Sequence, residues 1–259
     1  MLSQACGRIK RCTRRPRPSA QVPWPPPCRL FCDVALSPLM QLDREHPTVG
    51  IFQELLPRAQ VSGGSFAHWL PHPSQIPKGL RIGTLRKQQR LATNECIGNL
   101  LEQLAFPRNF RVPRAPGGYL QWPPGIVGSI SHKGTLVLGA AARARTYEAL
   151  GIDIERAGGR GHALSASMIA PEGLPPGRPP DLATLIAFSA KEAAFKAIYP
   201  LQRQPLQFGD VRLTWELVSD KRLRARATRK GFRDLRVDCA FSDQWIVCAA
   251  IPWRPLRRA

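Results

Sequence analysis

Proline decides where this chain can carry regular structure, because its ring fixes φ and removes a backbone donor. The 26 prolines are too many to be spread evenly through 259 residues, and where they cluster neither a helix interior nor a central strand can run. Pro16, Pro18, Pro23, Pro25, Pro26 and Pro27 fall in residues 1–38, a basic segment with little apolar periodicity. It cannot bury enough surface to offset the entropy of ordering, so it is expected to be a disordered extension. Met40 offers a second start, which would place that extension outside the functional protein. A turn-rich stretch follows at 113–124. Residues 157–180 then collect Gly158, Gly159, Gly161, Gly173 and Gly177 with five prolines, and are expected to form a loop or flap.

Periodic segments lie between these breaks. In residues 84–104, Leu85, Ala92, Cys96, Ile97, Leu100, Leu101 and Leu104 recur at spacings of three and four, which predicts an amphipathic helix. Arg86, Lys87 and Arg90 sit in its first turn, an unfavourable sign for the helix dipole but a useful one for holding phosphate. Short strands are predicted at 126–131, 136–142 and 150–155, arranged as a meander. A second helix is predicted over 181–199, stopped by Pro200. Beyond it Val211, Leu213, Trp215 and Leu217 alternate with polar residues. Leu223, Ala225 and Ala227, then Leu235, Val237, Cys239 and Phe241, do the same before a last run at 245–251. A C-terminal β-meander follows. Helix then strands, twice over, suggests an N-terminal lobe at 39–156 and a C-terminal lobe of similar plan at 181–259.

The formal net charge of +20 is concentrated at the ends: residues 1–40 hold seven Lys or Arg against one acid, and residues 220–259 hold eleven against four. Such a balance favours polyanionic partners. Of the seven cysteines, Cys28 and Cys32 form a lone pair without a second pair or a nearby histidine, which argues against zinc and for a reducing, cytoplasmic setting. No apolar run reaches the roughly 18–20 residues of a membrane helix, and no h-region follows Arg14 and Arg15.

The chemistry gathers in three places. In Gly151-Ile152-Asp153-Ile154-Glu155, strand alternation puts both isoleucines on one face and both carboxylates on the other. Adjacent carboxylates repel unless a cation sits with them, and magnesium takes one or two carboxylates along with substrate phosphates. On the second helix Phe188, Glu192, Phe195 and Tyr199 share a stripe, so Glu192 points from aromatic surroundings and needs a compensating cation. Lys196, four residues on, would serve as an ordinary salt-bridge partner or as the lysine of a metal-assisted phosphoryl-transfer site. The third place is Gly128-Ser129-Ile130-Ser131-His132, where a glycine permits close backbone approach to phosphate and Ser131 and His132 supply donors.

Residues 122–132, 151–155 and 188–196, in this order and separation, resemble the 4'-phosphopantetheinyl transferases of the Sfp and EntD type. The similarity covers roughly residues 80–200 well and the rest in outline. The resemblance implies an α+β fold of two similar lobes in one chain with the active site between them. It also implies transfer of the phosphopantetheine arm of coenzyme A to a serine of an apo acyl or peptidyl carrier protein, the holo-[acyl-carrier-protein] synthase type of reaction, in siderophore or other secondary metabolism. By resemblance, Asp153, Glu155 and Glu192 bind Mg2+ and Lys196 contacts the pyrophosphate. Ser131 and His132 match phosphate-binding positions, Arg86 matches a basic residue at the 3'-phosphate, and Arg114 sits where a further basic residue is expected. Glu192, directly or through a water held by the metal, would be the general base. The implied protein is a monomer that binds neither membrane nor nucleic acid.

Three positions depart from the family pattern. Asn94 stands where an arginine is frequent, Gly117 where a lysine is common, and Lys133 follows the histidine where a small residue or cysteine is usual. A metal-dependent nuclease or a basic nucleic-acid-binding protein is the alternative. Nucleases, however, commonly place acid and lysine two apart on a strand rather than four apart on a helix, and no zinc finger, aromatic-basic RNA motif or helix-turn-helix is evident.

Overall fold

The computed structural model describes residues 42, 46–67, 81–107, 109–116, 118–158, 173–203 and 206–253. The extension expected at 1–38 and most of the loop expected at 157–180 lie outside them, as does Gly117. The described residues belong to one compact α+β unit.

The first elements went unread in the sequence. Helix α1 (Pro47–Leu55) starts with Pro47 at N1 and His46 at the N-cap, whose ring accepts from the Thr48 N–H. Strand β1 (Gln60–Ser65) contains Gly63 and Gly64, which blank out the side-chain alternation by which a strand is recognised. Helix α2 (Arg81–Gln103), β2 (Ile126–Lys133) and β3 (Leu136–Arg143) follow; the helix starts three residues before the predicted 84, which puts Arg86, Lys87 and Arg90 beyond its first turn. The three strands form one antiparallel sheet in the order β1-β3-β2. β3 is apolar almost throughout because both its faces are covered. Val137 and Ala141 meet Ala92, Cys96 and Leu100 of α2, while Leu138, Ala140 and Ala142 face the opposite way, into a core shared with Phe52 and Leu55 of α1.

β4 (Gly151–Arg156) does not complete a meander with β2 and β3. It joins β5 (Arg212–Ser219), β6 (Arg222–Thr228), β7 (Leu235–Phe241) and β8 (Trp245–Pro252) in a five-stranded antiparallel sheet ordered β4-β8-β7-β6-β5. The last four strands are the expected C-terminal meander. The reason for the switch is that β4 must be buried on both faces: Ile152 and Ile154 enter the core shared with the first sheet, and Gly151 and Asp153 turn to the other side. Its open edge lies along β2, where the Ile152 N–H donates to Ser129 Oγ at 3.1 Å and one otherwise unpaired strand donor is satisfied.

Helix α3 (Pro180–Gln202) covers the far face of the larger sheet through Ile186, Ala190, Ala193, Ala194, Ala197 and Ile198. Pro200 does not stop it. A proline in the last turn forfeits a single helical bond, and the chain leaves the helix only at Arg203, whose N–H still reaches Tyr199 O at 2.8 Å before its left-handed conformation turns the backbone away. Small residues let α3 lie directly on β4. A Cβ on Gly151 would fall 1.9 Å from Ala193 O and 2.6 Å from Ala197 N, backbone that cannot yield without moving the helix. Gly151→Ala is therefore expected to cost about 3 kcal/mol or more, lowering Tm by roughly 6–12 °C in a thermal melt. An unchanged Tm would contradict this packing.

Candidate active site

Laying α3 on β4 brings the two acidic motifs to one place. Asp153 and Glu155 project from β4, Glu192 and Lys196 from α3, and Ser131 and His132 from β2, all lining a cavity of about 800 Å3. Arg114 reaches its rim and donates to Gly118 O at 2.8 Å. Aromatic groups close the walls: Tyr119, Trp122, Phe188, Phe195 and Tyr199. Tyr119 and Tyr199 meet edge to face, and Phe188 and Phe195 rest against Phe208. The stripe Phe188-Glu192-Phe195-Tyr199 thus borders the cavity, half-buried, while the alanine face of α3 enters the core. Arg86 is not among the lining residues; it lies exposed on α2, as does Asn94.

Asp153 is the hub. It is 5% exposed, and its Oδ1 accepts from Lys196 Nζ at 2.6 Å and from the Ser131 hydroxyl at 2.9 Å. Lys196 also donates to Ser131 Oγ at 3.1 Å. Of the two roles open to Lys196, the i,i+4 salt bridge to Glu192 is not formed; the ammonium pairs instead with Asp153 on the neighbouring strand. Oδ2 accepts from Ser189 Oγ at 2.9 Å. Ser189 is fully buried and was missed in the sequence, although its spacing of three from Glu192 and seven from Lys196 places all three on one helical face.

The other carboxylates pay for their burial in basicity. Burial pushes the Glu192 carboxyl above its ordinary range, the negative charges of Asp153 and Glu155 add to the rise, and Lys196 opposes it. Burial likewise raises Glu155; Lys133, which forms an ion pair with it, and Lys196 oppose the rise, while Asp153 adds to it. Lys191, next to Glu192 in sequence, turns away and donates to Phe208 O at 2.7 Å, fixing the turn at Phe208–Asp210 against α3.

The glycine of the third motif plays a different part from the one expected. A Cβ on Gly128 would fall 2.6 Å from the Trp122 indole, so the space above it receives a tryptophan and not a phosphate. A divalent cation suits the donor set, in that the carboxylates of Asp153, Glu155 and Glu192 face one cavity and need positive charge. Among the described residues, no three acidic, His or Cys side chains are closed around a common point; Asp153 and Glu155 instead turn to Lys196 and Lys133.

Known proteins place this arrangement. Residues 149–249, which include β4, α3 and the C-terminal meander as far as Ala249 in β8, match the profile of the 4'-phosphopantetheinyl transferase superfamily. The chain is 36% identical over 149 residues to 4'-phosphopantetheinyl transferase Svp of Streptomyces mobaraensis, a match covering 54% of this chain and 59% of that one. It is 35% identical over 137 residues to enterobactin synthase component D of Escherichia coli K12, covering 50% and 61%. With 4'-phosphopantetheinyl transferase PptT of Mycobacterium tuberculosis it shares 28% identity over 154 residues, covering 56% and 66%. The chain thus spans about three-fifths of the length of these relatives. No helix among the described residues is long and apolar enough to cross a membrane. The similarity of this chain to the 4'-phosphopantetheinyl transferase superfamily thus rests on residues 149–249 and on partial matches to named transferases.

Proposed function

We propose that the chain transfers the 4'-phosphopantetheine arm of coenzyme A to a serine hydroxyl of an apo acyl or peptidyl carrier protein, releasing 3',5'-ADP. The observation that carries this reading is the convergence of Asp153, Glu155, Glu192 and Lys196 on one cavity beside Ser131 and His132. Coenzyme A lies in that cavity, where β2 of the three-stranded sheet faces β4 and α3 of the larger one. Its pyrophosphate sits by Lys196, Ser131 and His132, Arg114 stands at the rim, and Arg86 on the exposed face of α2 meets the 3'-phosphate farther out.

Asp153, Glu155 and Glu192 are the residues that would hold Mg2+, which when bound neutralises charge on the pyrophosphate oxygens. Glu192, directly or through a water, accepts the proton of the carrier serine. The serine Oγ bonds to the β-phosphorus, the bond to the bridging oxygen breaks, and that oxygen leaves with its electron pair on 3',5'-ADP. Lys196 is positioned to meet the developing negative charge. The enzyme is proposed to be a cytoplasmic monomer. Its resemblance to enterobactin synthase component D favours a carrier of siderophore or related nonribosomal peptide synthesis.

Chromatography of a reaction with coenzyme A, MgCl2 and an apo carrier tests the chemistry. We expect 3',5'-ADP in amounts equal to the carrier consumed, and none when carrier or magnesium is omitted. Magnesium-dependent cleavage of added DNA with no 3',5'-ADP would overturn the assignment in favour of a nuclease.

A further inference from the structure

The two strands nearest the reaction step along each other in register. Ser129 Oγ accepts from the Ile152 N–H, Ser131 Oγ donates to Asp153, and Lys133 pairs with Glu155. Alternate residues of β2 thus meet Ile152, Asp153 and Glu155 in turn along β4, and the two-residue strand repeat that brings the Ser131 hydroxyl to Asp153 brings the Lys133 ammonium to Glu155. Glu155 is only 10% exposed in its side chain, so a carboxylate there must have a positive partner; Lys133 is 44% exposed and can swing into water at little cost. Lys133 is also one of the three positions at which this chain departs from the pattern of the family it resembles.

We propose that Lys133 is a resident cation of the cavity: its ammonium occupies Glu155 in place of a divalent ion and must leave before that carboxylate can ligate one. This rests on the reading of Asp153, Glu155 and Glu192 as the metal-holding set. Because the site is competent only in the fraction of molecules whose Lys133 has let go, apparent metal affinity falls by that fraction. Residence on Glu155 in nine molecules of ten weakens binding about tenfold. The enzyme then answers to divalent-ion concentration over a higher range than a relative lacking the lysine, and it keeps Glu155 compensated when no metal is bound.

The test is a manganese(II) titration of the full chain without coenzyme A or carrier, read by the electron paramagnetic resonance of the free ion. Wild type, Lys133→Ala, Lys133→Arg, Glu155→Gln and the Lys133→Ala/Glu155→Gln double variant are compared. We expect Lys133→Ala to tighten binding about tenfold, Lys133→Arg to stay near wild type, and the gain to vanish in the Glu155→Gln background, since the two side chains act as one pair. Equal or weaker binding by Lys133→Ala overturns the proposal, and so does a gain that persists with Glu155→Gln, which would mark a general charge effect. Absence of manganese binding in every variant is a different failure, removing the metal reading itself.

Discussion

Glu192→Gln is expected to lower phosphopantetheine transfer by roughly a thousandfold or more while raising the melting temperature at neutral pH. Loss of a positioned base costs about 10²–10⁴ in rate, and loss of a carboxylate from a three-acid set weakens any cation held there. The gain in stability has its own cause. Burial and the charges of Asp153 and Glu155 raise the Glu192 proton affinity in the folded state, so the folded protein binds this proton more tightly than the unfolded chain does. The corresponding stability is full below the ordinary carboxylate range and is lost as pH rises through the elevated folded value. At pH 7.5 the wild type therefore bears a burden that glutamine does not. Melting curves at pH 7.5 and pH 4 should show the variant ahead at the first and level with the wild type at the second. A variant less stable than wild type at pH 7.5 would contradict the crowding of negative charge, and retained transfer would remove Glu192 from the chemistry.

Asp153→Ala should abolish transfer for a different reason and with the opposite effect on stability. The side chain accepts from Ser131, Ser189 and Lys196 at once, in a place where it is 5% exposed. Deleting it strands two buried hydroxyls and an ammonium, a loss on the order of 3 kcal/mol. Asp153→Asn keeps the shape and one acceptor oxygen, so it should recover part of the lost Tm but none of the activity, because the charge that balances Lys196 is gone. Recovery of activity by asparagine would show that Asp153 serves only as a scaffold.

The contrast between these residues explains what the sequence could disclose. Alternation in β4 separates Ile152 and Ile154 from Asp153 and Glu155, and helical spacing in α3 places Glu192 with Phe188 and Phe195; both patterns are local, and the structure keeps them. The four-strand C-terminal meander is likewise written in alternation. Contacts between elements were harder to read. Helical spacing offers Lys196 its own-helix neighbour Glu192 as one partner, yet it crosses to Asp153, because Gly151 allows α3 to settle directly on β4. Gly128 looked like a phosphate cradle and instead receives Trp122, a partner six residues away whose approach no periodicity encodes. β1 was hidden by Gly63 and Gly64, and β4 was assigned to a meander with its sequence neighbours because strand order is decided by which faces need cover. Ser189 had the right helical spacing but an unremarkable identity, and only the carboxylate opposite it gives it a role.

The most direct test is the intact mass of an apo carrier protein after incubation with the wild-type enzyme, coenzyme A and magnesium, measured alongside Asp153→Asn and Glu192→Gln. The account predicts that wild type adds the mass of one phosphopantetheine to the carrier, that the addition maps to a single serine, and that neither variant produces it. A carrier of unchanged mass across fatty-acid, polyketide and nonribosomal peptide types, or equal modification by wild type and both variants, would contradict it.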